Sequence, residues 1–288
     1  MALILVASTE AAAGATTVAT GLAHRLADAG HDVRVERLSD GSDDDRARAD
    51  AELFGALDFA SGSGTPLQAG SLGDTSGTVI LEAPAGANGA ALAQQLGAKL
   101  VLVTPSGAEA GSAATAAATL TIQTRTRDAG PGLLPEDRSL AAPRVAELIE
   151  ASAAEVLSRS ERGDAAVCDH IVVGAISHDA ADEYFERFPR SAVVTRNGRV
   201  DLAMAAIAAG TECLILSGGG TPSPYILDRA AASRDTTLLV TAGDTPATVH
   251  AIEGTFGTAP FAGDSKITRA ADLMRTTVPD ETLQALLA

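Results

Sequence analysis

Short apolar runs alternate with amphipathic stretches along nearly the whole chain, the pattern of parallel strands covered by helices. Leu3–Ala7 is an unbroken apolar run and predicts a buried first strand. Val18, Leu22 and Leu26 then recur at every fourth position and predict a helix, with Gly30 standing where such a helix ends. Val33–Leu38, Val79–Glu82 and Leu100–Val103 predict three further strands. Asp40–Asp50 reads as an acidic loop or the solvated start of a helix, and Asp43, Asp44 and Asp45 within it as a solvated run, not a metal site. Ser106–Gly132 is rich in Ala, Thr and Gly, carries a basic patch at Arg125 and Arg127, and shows no clear period. A long structureless loop is unusual in a compact domain, so the expectation is a mobile helix or partial disorder. Pro143 is expected at the first position of a helix whose apolar face is Val145, Leu148, Ile149, Val156 and Leu157.

The second half repeats a strand–loop–helix unit, with strands predicted at Ile171–Ile176, Ala192–Thr195, Cys213–Leu216 and Leu238–Thr241. Three of these run into loops containing glycine: Arg196–Gly198, Ser217–Gly220 and Ala242–Asp244. In a parallel sheet such loops share one edge with helix N-termini, which favours an anion there. The polar stretch Arg159–Asp169 is the expected domain boundary. The fold class is therefore α/β: a parallel-sheet domain over residues 1–158, which the motif at its first loop makes P-loop NTPase-like, then a smaller three-layer α/β domain over 168–288.

The P-loop reading comes from Ser8–Thr17. A phosphate-binding loop reads G-x-x-x-x-G-K-[ST] between a strand and a helix. Here Thr9 takes the first glycine position and Ala15 the lysine position, while Gly14 and Thr16 remain. Backbone amides still suit a phosphate and Thr16 still suits Mg²⁺, but the charge that the lysine brings to the terminal phosphates is missing. Glu82, at a strand end, is the companion candidate for Mg²⁺; a bracing carboxylate is the alternative reading.

Composition narrows the partners. Hydrophobic residues are 46% of the chain, enough for packed cores, but aromatics are only 3% and Trp is absent, so the cores must be built from Ala, Val, Leu and Ile. The net charge is -16, which argues against nucleic acid and anionic membrane as partners. Lys99 and Lys266 are the only lysines; acidity with lysine depletion fits a high-salt cytoplasm, and a GC-rich genome explains the same bias. If salt screens self-repulsion, the melting temperature should climb between low and molar KCl; a flat or falling curve removes the halophilic reading. Cys168 and Cys213 form no CxxC and cluster with no histidine, so the chain reads as cytoplasmic and reducing, without metal or redox thiol chemistry. His24, His31, His170, His178 and His250 are scattered and support no Ser-His-Asp grouping. The N-terminal run has no basic residue before it and no cleavage site, and no segment is long and apolar enough to span a membrane.

Ser8-Thr9-Glu10 with Gly14 and Thr16, the Glu82–Gly86 segment, and Gly132–Pro143 as a "P-E-D-R-x-L-x-A-P" segment resemble the dethiobiotin-synthetase-like domain at the N-terminus of long phosphate acetyltransferases. The second half resembles the DRTGG domain that follows in that family: Asn197-Gly198-Arg199-Val200-Asp201 stands at its G-D-R-x-D motif, Ser217-Gly218-Gly219 at T-G-G, and Asp244-Thr245 at a D-T pair. The resemblance covers nearly the whole chain and stops before any acetyltransferase domain. Ala15 departs from the family lysine, and the stretch after Val103 is shorter than the family's usual strand and helix, so the base-recognition part of a nucleotide site is expected to be missing.

The resemblance implies a non-catalytic regulatory protein that senses a nucleotide or other small anionic metabolite. The implied cofactor is ATP or another adenine nucleotide with Mg²⁺. Its ligands would be Thr9, Glu10, Gly14, Thr16, Thr17 and Glu82 in the first domain and Arg199, Asp201, Ser217, Gly218, Gly219, Asp244 and Thr245 in the second, with Thr16 and Glu82 on the metal. An ATP-dependent synthetase of the dethiobiotin synthetase or cobyrinic acid a,c-diamide synthase type is the alternative, and a scaffold docking on a separate acyl-transfer enzyme of acetate metabolism a third. A homodimer is expected, since both families pair.

Overall fold

A computed structural model describes every residue except 1, 42–43, 74–75, 109–110 and 176–180, and the backbone alone of Asp182. Asp43, Ile176 and His178 lie outside the described residues. The chain divides into two compact units, Met1–Asp137 with Pro260–Ala288, and Arg138–Ala259.

In the first unit the opening apolar run is β1 (Ala2–Ser8), followed by α1 (Ala15–Asp28), β2 (Val33–Arg37), α2 (Asp45–Gly55), β3 (Thr78–Glu82), α3 (Gly89–Leu96), β4 (Lys99–Pro105), α4 (Ser112–Ala117), β5 (Leu120–Thr126) and β6 (Leu133–Pro135). These strands form one parallel sheet in the order β2-β3-β1-β4-β5-β6. The side chains alternate between its faces. Ile4, Val6, Ile80 and Val101 pack with Val18 and Leu22 of α1, while Leu5, Ala7, Leu81 and Leu100 pack with Ala93 of α3. The connection leaving β1 runs towards β2 and that leaving β4 runs the other way, towards β5. The carboxyl ends of β1 and β4 therefore flank the point where the chain diverges, the usual ligand crevice of an open parallel sheet.

The second unit contains α5 (Arg138–Ala141), α6 (Val145–Ser152), β7 (Glu155–Ser158), β8 (His170–Val173), α7 (Ala181–Phe185), β9 (Ser191–Arg196), α8 (Val200–Ala208), β10 (Cys213–Ser217), α9 (Pro224–Ala232), β11 (Thr237–Val240) and α10 (Thr245–Glu253). Its sheet runs β7-β11-β10-β9-β8, with β8 to β11 parallel and β7 antiparallel at the edge. Val193, Leu214, Leu202, Phe185 and Ile226 form the core on the α7–α9 face, and Val194, Ile215, Leu148 and Ile252 the core on the α6 and α10 face. This unit is a three-layer α/β sandwich. The chain then returns to the first unit as α11 (Asp264–Thr277) and α12 (Asp280–Leu287). Among the described residues, no helix is long and apolar enough to cross a membrane.

Four expectations are corrected. Ser106–Gly132 is not a mobile helix: it holds the short α4 and a full strand, β5, whose alternation Ile122, Thr124, Thr126 faces inward. Threonine on the buried face hid that period, and β5 supplies a full strand in the stretch after Val103 that reads as short. Of the two readings of Asp40–Asp50 the helix start holds: α2 begins at Asp45, capped by the Asp44 side chain on the Arg46 amide. Pro143 lies outside α6, which starts at Val145 with Arg144 as its N-cap; Glu147 accepts from the Arg144 amide at 2.7 Å. Val156 and Leu157 belong to β7 and not to that helix, because Ala153 takes a left-handed φ of 46° and ends it. Finally, the division falls near Asp137 and Ala259, not at 159–168, since β7 completes the second sheet and α11–α12 cover the first.

Candidate functional site

The β1–α1 loop turns through two left-handed residues, Ala12 (φ 57°) and Gly14 (φ 96°). Gly14 is the N-cap of α1, so the orphan amides at the start of a long helix open beside the loop. The predicted residues spread unevenly. Thr9 is half-buried, its hydroxyl 3.5 Å from Thr104 Oγ1, Glu10 is exposed and Thr17 is half-buried. Thr16 is buried, and its Oγ1 donates to Glu82 Oε1 at 3.1 Å. The pairing of Val6 with Glu82 across β1 and β3 puts that carboxylate beside the helix start.

Sequence reasoning missed the rest of this cluster. Asp50, on the inward face of α2 with Ala47, Ala51 and Phe54, is only 4% exposed, as are Arg37 and Glu82. Arg37 Nε lies 3.6 Å from Asp50 Oδ2, and Arg37 Nη1 donates to the carbonyls of Leu38 and Glu82. Burial raises the Asp50 carboxyl, against the pull of Arg37. Burial, and then the neighbouring Asp50 charge, hold Glu82 up at about 8, against Arg37 and the Thr16 hydrogen bond. Glu82 Oε2 is buried without a hydrogen-bond partner among the described residues. An acidic residue on an apolar helix face was the available signal for Asp50.

Two residues of β5 hold the loop from the other side. Thr124 Oγ1 donates to Ala13 O and the Arg125 guanidinium to Ala12 O, both at 2.7 Å. Next to the loop, on the opposite face of the sheet, a cleft of about 810 Å³ opens between α3 and α4. Its lining includes Ser8, Thr9, Asn88, Gln94 and several alanines, with no charged side chain among the described residues.

In the second unit the three glycine loops do share one edge, but they are tied to each other. Gly218 and Gly219 donate their amides to Gly243 O (2.7 Å) and Thr241 O (2.9 Å), which removes those two amides as anion donors. Asn197 Nδ2 donates to Gly219 O at 2.8 Å. Ser217 Oγ is 2.7 Å from Thr245 Oγ1 and also donates to Thr195 O at 3.2 Å. Asp244 caps α10 through the Ala247 amide. Arg199 and Asp201 form a two-point ion pair, at 2.9 and 2.7 Å, on the surface; this bonding to Arg199 lowers the Asp201 carboxyl to about 2. Tyr225, at the start of α9, is 76% exposed.

Arg138 and Ser139 of the "P-E-D-R-x-L-x-A-P" segment brace the second unit. Arg138 donates to Asp169 O and lies over the Phe256 ring, while Ser139 Oγ donates to the buried Asp169 carboxylate at 3.1 Å. Cys168 and Cys213 are buried, and burial pushes both thiols up. Among the described residues no group of three or more His, Cys, Asp or Glu side chains is assembled for a metal.

Residues 147–255 match the family model of the DRTGG domain, within the second unit. The crystal structure of the CBS and DRTGG domains of the regulatory region of Clostridium perfringens pyrophosphatase, complexed with the activator diadenosine tetraphosphate, is similar to 45% of this chain. The identity is 19%, the TM-score 0.35, and the match spans 56% of that chain.

Proposed function

We propose that this is a regulatory protein that binds a magnesium–adenine nucleotide at the β1–α1 loop and does not transfer its phosphate. The observation that supports it is the buried Thr16–Glu82 hydrogen bond with the orphaned Glu82 Oε2 beside it. Ionised, that oxygen lacks a donor; protonated, it lacks an acceptor. Either state is costly in a buried site, and a cation would relieve it. The donors fit Mg²⁺, a hard cation that takes a few protein oxygens and keeps waters. Thr16, Asp50 and Glu82 would hold it, and when bound it would supply positive charge to the phosphate oxygens. The orphan amides at the start of α1 would face the same anion. Ala15 leaves the terminal phosphate without the lysine that steadies it during transfer, which supports binding without turnover. The DRTGG match over residues 147–255 supports the regulatory side of this reading.

The intact Thr16–Asp50–Glu82 cluster also favours one other reading, an ATP-dependent synthetase. Calorimetry with Mg–ATP and Mg–ADP, alongside an assay of phosphate release, separates the two. The expected result is binding that EDTA abolishes, a Thr16→Val variant about tenfold weaker for the loss of one charge-linked contact, and phosphate release at background. Robust Mg-dependent ATP consumption supports the synthetase, and no binding of either nucleotide overturns the proposal.

A further inference from the structure

Ala15 stands where a phosphate-cradling loop carries its cation, so α1 itself brings no charged side chain to the anion. A cation does reach the loop from β5. The pairing of β5 with β6 runs Gln123–Leu133, Thr124–Leu134 and then Thr126–Pro135, so Arg125 is the extra residue of a bulge. Its φ is 56°, a left-handed conformation that costs a non-glycine residue on the order of 1 kcal/mol. In a regular strand, neighbours 124 and 125 would point to opposite faces. The bulge instead lets both reach one loop, on consecutive carbonyls, those of Ala13 and Ala12. Arg125 is exposed, and a guanidinium with one bond to Ala12 O retains donors for an anion. Across the loop lies an independent sign of a missing occupant, the buried and unpartnered Glu82 Oε2 beside Thr16.

We infer that Arg125 supplies the β1–α1 loop with the charge that residue 15 lacks, by contacting a phosphate oxygen of a nucleoside di- or triphosphate bound there. This rests on the reading of that loop as a nucleotide site. The charge then comes from a long, exposed side chain on a neighbouring strand and not from the helix that cradles the phosphates.

Three substitutions at this exposed position separate charge from bracing: Arg125→Ala, Arg125→Gln, which keeps a donor for Ala12 O without charge, and Arg125→Lys, which keeps charge. Each is titrated calorimetrically with Mg–ATP and with inorganic tripolyphosphate, beside the natural protein, with melting curves to show an unchanged fold. The expected result is a loss of about tenfold in affinity for the Ala and Gln variants and of no more than about threefold for Lys. The loss should be the same for the nucleotide and for tripolyphosphate. Unchanged affinity in Arg125→Ala, or a Gln variant that binds like the natural protein, overturns the inference while the nucleotide site stands. A loss seen with Mg–ATP but not with tripolyphosphate also overturns it, since Arg125 would then serve the nucleoside. If the natural protein binds neither probe, the underlying reading fails and the inference with it.

Discussion

A chain ending at Ala259 is expected to lose the fold of its first unit. Helices α11 and α12 and the turn between them bury Met274, Val278, Leu283 and Leu286 in the same cluster as Val18, Leu22 and Leu26 of α1. Each of these side chains is worth roughly 1.5–3 kcal/mol when fully buried, so removing all of them takes away an amount comparable with the whole stability of a domain, about 5–15 kcal/mol. The seam is close-packed. A Cβ at Gly21 of α1 would stand 3.1 Å from Met274 Cε and 3.2 Å from Ala270 O. Hydrogen bonds close it: Gly132 donates to Thr277 O at 2.8 Å, and Thr277 Oγ1 to Leu133 O at 3.1 Å. Thermal melts and limited proteolysis of residues 1–259 should show a first unit that is cut rapidly and lacks its own transition, with the full chain resistant. Equal protection of both chains would show that the helices merely decorate the unit. In the full chain, Gly21→Leu should cost about 1–3 kcal/mol by overpacking the same seam.

Stability should fall as the pH rises towards 8, and Glu82→Gln should remove much of that fall. Glu82 is held at about 8 in the fold by burial and by the Asp50 charge, against 4.5 for the free group. The folded state therefore binds a proton that the unfolded state releases between pH 4.5 and 8. The contribution is fully present below 4.5 and is lost as the pH climbs through 8. Asp50, also raised by burial, acts in the same direction. Glutamine stays neutral and can still accept from Thr16, so at pH 9 the variant should be more stable than the natural protein by about 1–3 kcal/mol. Denaturant melts from pH 5 to 9 measure this, and parallel curves for the two proteins would remove Glu82 as the cause. The same substitution should weaken the proposed cation site, because a metal must displace the proton. Affinity for Mg–ATP in the natural protein should then rise with pH up to about 8 and level off.

Much of the architecture is local in origin. Leu3–Ala7 has nothing polar to offer solvent and becomes a central strand, and Val18, Leu22 and Leu26 share one helix face and bury it. The strand–loop–helix repeat of the second half dictated a parallel sheet with its glycine loops on one edge, since each right-handed unit returns the chain to the same side. The motif residues Asn197, Gly219, Ser217 and Thr245 do gather at that edge. What they do there was decided by neighbours: the amides of Gly218 and Gly219 are taken by the next loop, and Arg199 by Asp201. The strand β5 escaped notice because threonines occupy its buried positions and blur the alternation. The bulge that turns Arg125 onto the loop exists only in the pairing with β6. Asp50 looks like the end of a solvated acidic run until α2 folds against the sheet beside Arg37. The return of α11 and α12 to the first unit is likewise invisible along the chain, because amphipathic helices announce that they have an apolar face but not which of two cores it covers. Local patterning determines which residues must leave water; only the pairing of segments distant in sequence decides which charges and apolar faces meet when they do.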